Sequence, residues 1–146
     1  MGLKPMHTSH STVLIGRRYL EHGFLEVAMR LFVRNPALVE KRDWTRLVER
    51  LMERHRIVDA MRVCEIGGVP VPCAQLLALG DGHLRRKDFE EAIRLYELGD
   101  AGRERWARVV DLLTARPDQE RRAIALAARH LVDQVPEVEL RLAAGN

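Results

Sequence analysis

Cysteine, lysine and aromatic residues are all scarce in this chain of 146 residues, and the shortages exclude whole classes of protein. Two cysteines are too few for the disulfide framework of a small secreted domain. Aromatic residues make up 5% of the chain, which disfavours a sandwich or barrel built on aromatic strands. The sequence has no run of about 18 apolar residues, so a membrane-spanning helix is not expected.

The residues that are present predict one folded domain. Hydrophobic residues make up 47% of the chain, which is too many for a disordered protein and enough for a real core. Lysine and arginine number 24 against 21 acidic residues, a formal net charge of +3. Only Lys4, Lys41 and Lys87 are lysines, so arginine dominates the basic residues. This excess of arginine raises the question of a nucleic-acid partner.

The N-terminal segment gives the expected compartment. Residues 1–11 are polar, lack the apolar stretch of a signal peptide, and are predicted to be flexible. We therefore expect a cytoplasmic protein in which Cys64 and Cys73 are reduced thiols. The alternative is a disulfide across the turn at Gly67 and Gly68.

An internal repeat with a constant step of 32 residues organises the chain. Three similar heptapeptides begin at Glu26, Val58 and Glu90, and their alanines are 32 residues apart. The same step relates the residues in several further columns, which are Ile15, Leu47 and Leu79; Gly16, Val48 and Gly80; and Tyr19, Leu51 and His83.

Each copy predicts two helices that end at glycine or proline signals. Asp43 is predicted to cap the first helix of the second copy, and Pro117 to open the second helix of the fourth. The predicted organisation is a single helical-repeat domain over 12–146, with repeats at 12–36, 43–68 and 72–100, a divergent copy at 103–132 and a capping helix at 136–144.

The first copy resembles a tetratricopeptide repeat, because Ile15-Gly16, Tyr19, Ala28, Phe32 and Pro36 follow that family's spacing. The resemblance covers roughly residues 12–132. It implies an all-α fold: a right-handed α-solenoid of stacked antiparallel hairpins, whose first helices line a concave, peptide-binding groove. Two departures stand out. The step is two residues short of the usual length, and Val48 replaces the small residue of its column, for which the small Cys64 is expected to compensate.

The resemblance also supplies a candidate partner-binding groove. Its residues come from the first helices of the first three copies, with Arg105 and Arg108 as extensions from the fourth. They are Arg17, Leu20, Glu21, Arg42, Thr45, Glu49, Met52, Glu53, Leu77, Asp81, Leu84 and Arg85. This mixture of apolar side chains and both signs of charge suits an extended segment or an amphipathic helix.

Catalytic, cofactor-binding and metal sites are not predicted. The pair His7 and His10 has a metal-like spacing but lies in the polar N-terminal segment. His83 occupies a packing column, and Cys73 near a helix start is the faint candidate for a reactive thiol. No nucleophile, base and orienting group converge, so we expect a protein that is not an enzyme.

The resulting hypothesis is a non-catalytic scaffold or adaptor that binds a peptide segment or helix of a partner protein. The alternative is an RNA-binding helical repeat, which Glu49 and Asp81 oppose because they would repel phosphate. The arginine column Arg30, Arg62 and Arg94 is interpreted as solvated surface on the second helices. Self-association through the terminal repeats is left open, because an uncapped end exposes apolar surface.

Overall fold

The computed structural model describes the backbone of residues 4–145 and the side chains of residues 10–145. Over this range the chain forms nine α-helices and three short 3-10 turns, and no β-strand. The predicted all-α class is confirmed. The helices are α1 (Lys4–Glu21), α2 (Leu25–Arg34), α3 (Lys41–Glu53), α4 (Ile57–Gly67), α5 (Cys73–Arg85), α6 (Phe89–Leu98), α7 (Arg103–Thr114), α8 (Glu120–His130) and α9 (Val135–Gly145).

The chain divides into two compact units, Met1–Pro72 and Cys73–Asn146. The first unit contains two helical hairpins, α1 with α2 and α3 with α4. The second contains the hairpins α5 with α6 and α7 with α8, and α9 packs on α7 and α8. Each unit has its own buried apolar centre, and a single domain over 12–146 stays a prediction.

The turn inside each of the first three hairpins repeats its backbone geometry with the period of the sequence repeat. Positions 23, 55 and 87 all have positive φ, although only Gly23 is a glycine. The N–H of the following residue, at positions 24, 56 and 88, donates to the carbonyl oxygen five residues earlier, each at 2.9 Å. The repeat therefore holds in backbone conformation as well as in sequence.

Close packing of a glycine against an aromatic ring joins the two helices of a hairpin. A Cβ atom on Gly16 would lie 2.7 Å from Phe32, and one on Gly80 would lie 2.6 Å from Tyr96. In the second hairpin the equivalent positions of the repeat carry Val48 in place of the glycine and Cys64 in place of the aromatic residue. Both Val48 and Cys64 are buried. The large and small residues have thus exchanged sides.

An edge-to-face contact between aromatic rings joins successive hairpins in both units. Phe32 at the end of α2 meets Trp44 of α3, with ring centroids 5.7 Å apart. Tyr96 of α6 meets Trp106 of α7 at 5.8 Å. Such pairs contribute about 0.5–1.5 kcal/mol beyond their area burial.

Three predicted helix starts differ from the structure. Helix α1 begins at Lys4 instead of Thr12, so residues 4–11 have helical backbone, while residues 1–3 lie outside the described range. Helix α3 begins at Lys41, which makes Glu40 its N-cap, and Asp43 accepts the Glu40 N–H at 3.2 Å from inside the first turn. Pro117 opens a 3-10 turn, and α8 begins at Glu120.

Candidate functional site

The apolar members of the predicted groove lie in the core. Leu20, Met52 and Leu84 are almost fully buried, and half-buried Leu77 packs against the apolar cluster of the second unit. Leu20 follows Val13 by seven residues, which places both on one face of α1. Leu20, Met52 and Leu84 therefore have little free surface with which to contact a partner, because the chain itself covers them.

Arg17, the basic member of the groove on α1, is held by an acidic side chain of α3. Its Nε and Nη2 donate to Asp43 Oδ2 at 3.0 and 2.9 Å, and Glu40 lies 3.6 Å from Nη2. The hydrogen bond to Asp43 raises the pKa of the Arg17 guanidinium. Arg17 thus joins the first helices of two hairpins in the first unit.

Asp81 has the same structural role in the second unit with the charges reversed. Arg105 of α7 donates from Nε to Oδ1 and from Nη2 to Oδ2, both at 3.1 Å, and the Tyr96 hydroxyl donates to Oδ1. The bond to Arg105 holds the pKa of Asp81 below its usual range. Burial, together with the Asp81 bond, raises the pKa of Tyr96. Arg17 and Asp81, which were both predicted to bind a partner, therefore form hydrogen-bonded ion pairs within their own units.

Removing the Asp81 charge is expected to destabilise the second unit by about 1–2 kcal/mol at neutral pH, because Arg105 and Tyr96 lose a charged acceptor. Since the folded-state pKa of Asp81 is below its ordinary value of 3.8, this stabilisation is present above pH 3.8 and is lost as pH falls through the lowered value. Urea denaturation of Asp81→Asn and wild type at about pH 7 and about pH 2 should show a difference that shrinks in acid. An undiminished difference at low pH would contradict the assignment.

The other charged and polar groove residues are exposed, and most have local partners. Arg42 pairs with Glu40 at 2.7 Å, and the Thr45 hydroxyl donates to the Lys41 carbonyl at 2.9 Å. Glu49 and Glu53 pair with arginines three residues earlier on α3, at 3.6 and 3.7 Å. The remaining members are Glu21 and Arg85.

The structure does bring some predicted residues together in the second unit. A shallow cavity of about 170 Å³ is lined by Asp81, Leu84, Arg85, Arg108 and Leu112. The carboxylate in it is already bonded to Arg105 and also interacts electrostatically with Arg108, and the side chains of Arg85 and Arg108 are exposed.

Histidine and cysteine side chains take packing or surface positions. His83 Nδ1 lies 3.0 Å from Asp88, and His130 stacks on Trp106 with centroids 3.8 Å apart. Burial lowers the pKa of His130 and raises that of the Cys64 thiol. Both cysteines are free, with Cys73 exposed at the first residue of α5. Among the residues with described side chains, no group of three or more metal-ligating side chains is assembled; the His7 side chain lies outside them.

A groove that sequence reasoning missed lies between α2 and α4 in the first unit. It encloses about 340 Å³, and we call it the α2/α4 groove. Met29, Val33 and Ile66 contribute apolar surface, while the charged lining consists of one glutamate and three arginines. The lining residues are Glu26, Met29, Arg30, Val33, Arg34, Arg62 and Ile66.

Charge in the α2/α4 groove is strongly one-sided. Glu26 is neutralised by Arg56, whose Nη2 lies 2.7 Å from Glu26 Oε2. Within the part of the chain that the structure describes, Arg30, Arg34 and Arg62 have no ion-pair partner. The prediction that Arg30 and Arg62 are solvated surface did not anticipate that both line one groove. The third member of their column, Arg94, has its Nη1 3.8 Å from Glu91 Oε1.

Comparison with known proteins gives no relative from which to argue. Neither a protein-family model, a curated protein nor a solved structure matches the chain. No helix in the described part of the chain is long and apolar enough to cross a membrane.

Proposed function

We propose that this chain is a non-catalytic protein-interaction module that binds an acidic, amphipathic segment of a partner protein. The observation that carries the proposal is the α2/α4 groove, where three unpaired arginines surround apolar surface. The surface first assigned to binding is a poor candidate, because three of its four apolar side chains are buried and two of its charged side chains are bonded within their own units.

The architecture that we propose is a tetratricopeptide-like, right-handed α-solenoid with α9 as its cap. The constant repeat step and the packing of consecutive helices support it. Repeats of this kind bury their apolar stripes between neighbouring hairpins and leave other helix faces free for partners. A cytoplasmic location belongs to the same proposal, and the two free cysteines are consistent with it.

The chemistry of the groove selects the partner segment. Val33 and Ile66 are both exposed, so apolar side chains of a partner can cover them. Arginine forms strong, directional hydrogen bonds with carboxylates, so Arg30, Arg34 and Arg62 favour aspartate and glutamate beside those apolar residues. An amphipathic helix with one apolar and one acidic face meets both requirements.

RNA is the alternative ligand for the same three arginines. Single-stranded RNA is commonly bound by basic residues together with aromatic rings on which bases stack. The apolar residues that line the groove are Met29, Val33 and Ile66, and none of them has an aromatic ring. A protein segment is therefore favoured, and RNA binding becomes an outcome of the test.

A designed acidic peptide of about 14 residues, long enough for ~four helical turns, is the direct probe. Fluorescence anisotropy should detect its binding to the full chain. Arg62→Glu should weaken binding at least about tenfold, because a like charge then faces the peptide. The matched control is Arg94→Glu, which reverses the same repeat column in the other unit and should leave the affinity unchanged.

Two further probes complete this test. A peptide with serine in place of its apolar residues should bind more weakly, since it cannot cover Val33 and Ile66. A generic RNA oligonucleotide should bind weakly at low salt. Tight RNA binding that collapses between about 50 and 200 mM salt would replace the proposal with the nucleic-acid alternative. Equal peptide binding by Arg62→Glu and wild type would also overturn it.

A further inference from the structure

The first hairpin has an exposed apolar surface that is separate from the α2/α4 groove. Leu14, Ile15 and Tyr19 of α1 and the turn residue Phe24 are each between 38% and 59% exposed. We call these four residues the end face. The rings of Tyr19 and Phe24 meet edge to face with centroids 5.9 Å apart. Three of the four, with Arg18 and His22, line a cavity of about 330 Å³, so the surface is concave and preformed.

The repeat itself indicates what covers such a surface. Ile15 and Tyr19 correspond to Leu47 and Leu51 at the same repeat positions of the second hairpin, and both leucines are 0% exposed. In the first unit the first hairpin packs against the second, for example through the contact of Phe32 with Trp44. The end face is thus the position where a further two-helix hairpin would stack.

Two positions of the end face carry a larger apolar residue in the first copy than in the second and third. The column of Leu14 continues as Arg46 and Ala78, and the column of Phe24 continues as Arg56 and Asp88. Phe24 precedes the first residue of α2 and makes no side-chain cap bond, so its ring does not stabilise the helix start in that way. An exposed phenylalanine where both other copies carry charge, and an exposed leucine where they carry arginine and alanine, indicate a surface that a partner covers.

The rim of the end face is self-complementary in charge. Arg18 follows Leu14 by four residues on α1, and Glu21 follows Arg18 by three, so the three side chains succeed one another at one-turn intervals. Among the described residues neither side chain has an ion-pair partner. A surface with an apolar centre, one free arginine and one free glutamate can pair with itself, because a two-fold axis brings Arg18 of each copy towards Glu21 of the other.

We propose that the end face binds the end face of a second copy of this chain, forming a two-fold symmetric dimer. Leu14, Ile15, Tyr19 and Phe24 form the apolar centre, and Arg18 pairs with Glu21 of the other copy. The dimer uses none of the residues that line the α2/α4 groove, so peptide binding and dimerisation can fail independently.

Sedimentation velocity of the full chain over a range of concentrations measures the dimer directly. Wild type should show a concentration-dependent dimer. Phe24→Arg and, separately, Leu14→Arg should raise the dissociation constant at least about tenfold. At a concentration where the wild type is monomeric, both variants should have the wild-type thermal melt, because each copies the residue of the second repeat at an exposed position. A wild-type chain that stays monomeric throughout would overturn the proposal, and so would a dimer that both variants retain.

Charge reversal separates a second copy from any other occupant. Arg18→Glu alone brings two carboxylates together at each symmetric contact, and Glu21→Arg alone brings two guanidinium groups together, so each variant should be monomeric. Mixing the two restores an opposite pair at both contacts, and the mixture should form a heterodimer. If both variants dimerise alone as wild type does, or if the mixture stays monomeric, the proposed pairing is wrong.

Discussion

Replacing Leu84 with alanine is expected to lower the free energy of unfolding by about 2–5 kcal/mol. Leu84 is 4% exposed and belongs to the apolar cluster of the second unit, with Phe89, Ala92 and Trp106. Truncation removes methyl groups from this cluster and leaves a cavity that rigid helices fill only in part. Urea denaturation followed by circular dichroism measures the change.

The matched control is Leu140→Ala on α9, at a side chain that is 71% exposed. It should shift stability by no more than about 0.5 kcal/mol. A small effect at Leu84 as well would show that its side chain is free to contact a partner, which would restore the groove first predicted. Leu20→Ala provides the same comparison in the first unit.

Exchanging the large and small residues of the second hairpin should reproduce the packing of its neighbours. Cys64→Phe alone is expected to destabilise by about 1–3 kcal/mol or more, because Cys64 is buried and Val48 stands where the neighbouring hairpins have the glycine that makes room for a ring. The double variant Val48→Gly with Cys64→Phe recreates the arrangement of Gly16 with Phe32. Thermal and urea denaturation of the four proteins gives the coupling energy.

That coupling should favour the double variant by about 1–3 kcal/mol, even though glycine inside a helix costs about 1 kcal/mol by itself. The cycle separates the pairwise effect from that intrinsic cost. As a control, Val58→Gly on α4 should show no coupling to Cys64→Phe, because Val58 is exposed. Additive effects in the main cycle would mean that Val48 and Cys64 do not share one packing site.

Much of the fold could be predicted because glycine, proline and the constant repeat step mark the helix ends. Helix α6 ends at Leu98, directly before Gly99, and α4 ends at Gly67, directly before Gly68, as the glycine signals predict. The start of α3 was misplaced because Asp43 resembles a capping residue, whereas its carboxylate accepts the Glu40 N–H from within the first turn.

The candidate site was harder to predict, for a geometric reason. A column of the repeat shows which side chains are equivalent, but not which ones meet. Arg17 meets Asp43 at a separation of 26, and Arg105 meets Asp81 at 24, so neither partner stands in the other's column. The signal for the α2/α4 groove was present in the i, i+4 spacing of Arg30 and Arg34, but only the packing of α2 and α4 shows that Arg62 faces them.

The side-chain bonds between helices join residues that are close in the sequence, and this has a consequence for how the chain folds. In the described part of the chain, side-chain hydrogen bonds and ion pairs between helices span at most 32 positions, as between Arg129 and Glu97. Closing such short loops costs little entropy, and topologies rich in local contacts fold quickly. We therefore expect a hairpin to form against its neighbour without waiting for the rest of the chain. Amide protons should then exchange in groups that follow the hairpins, and a newly made first unit could fold while the second is still being synthesised.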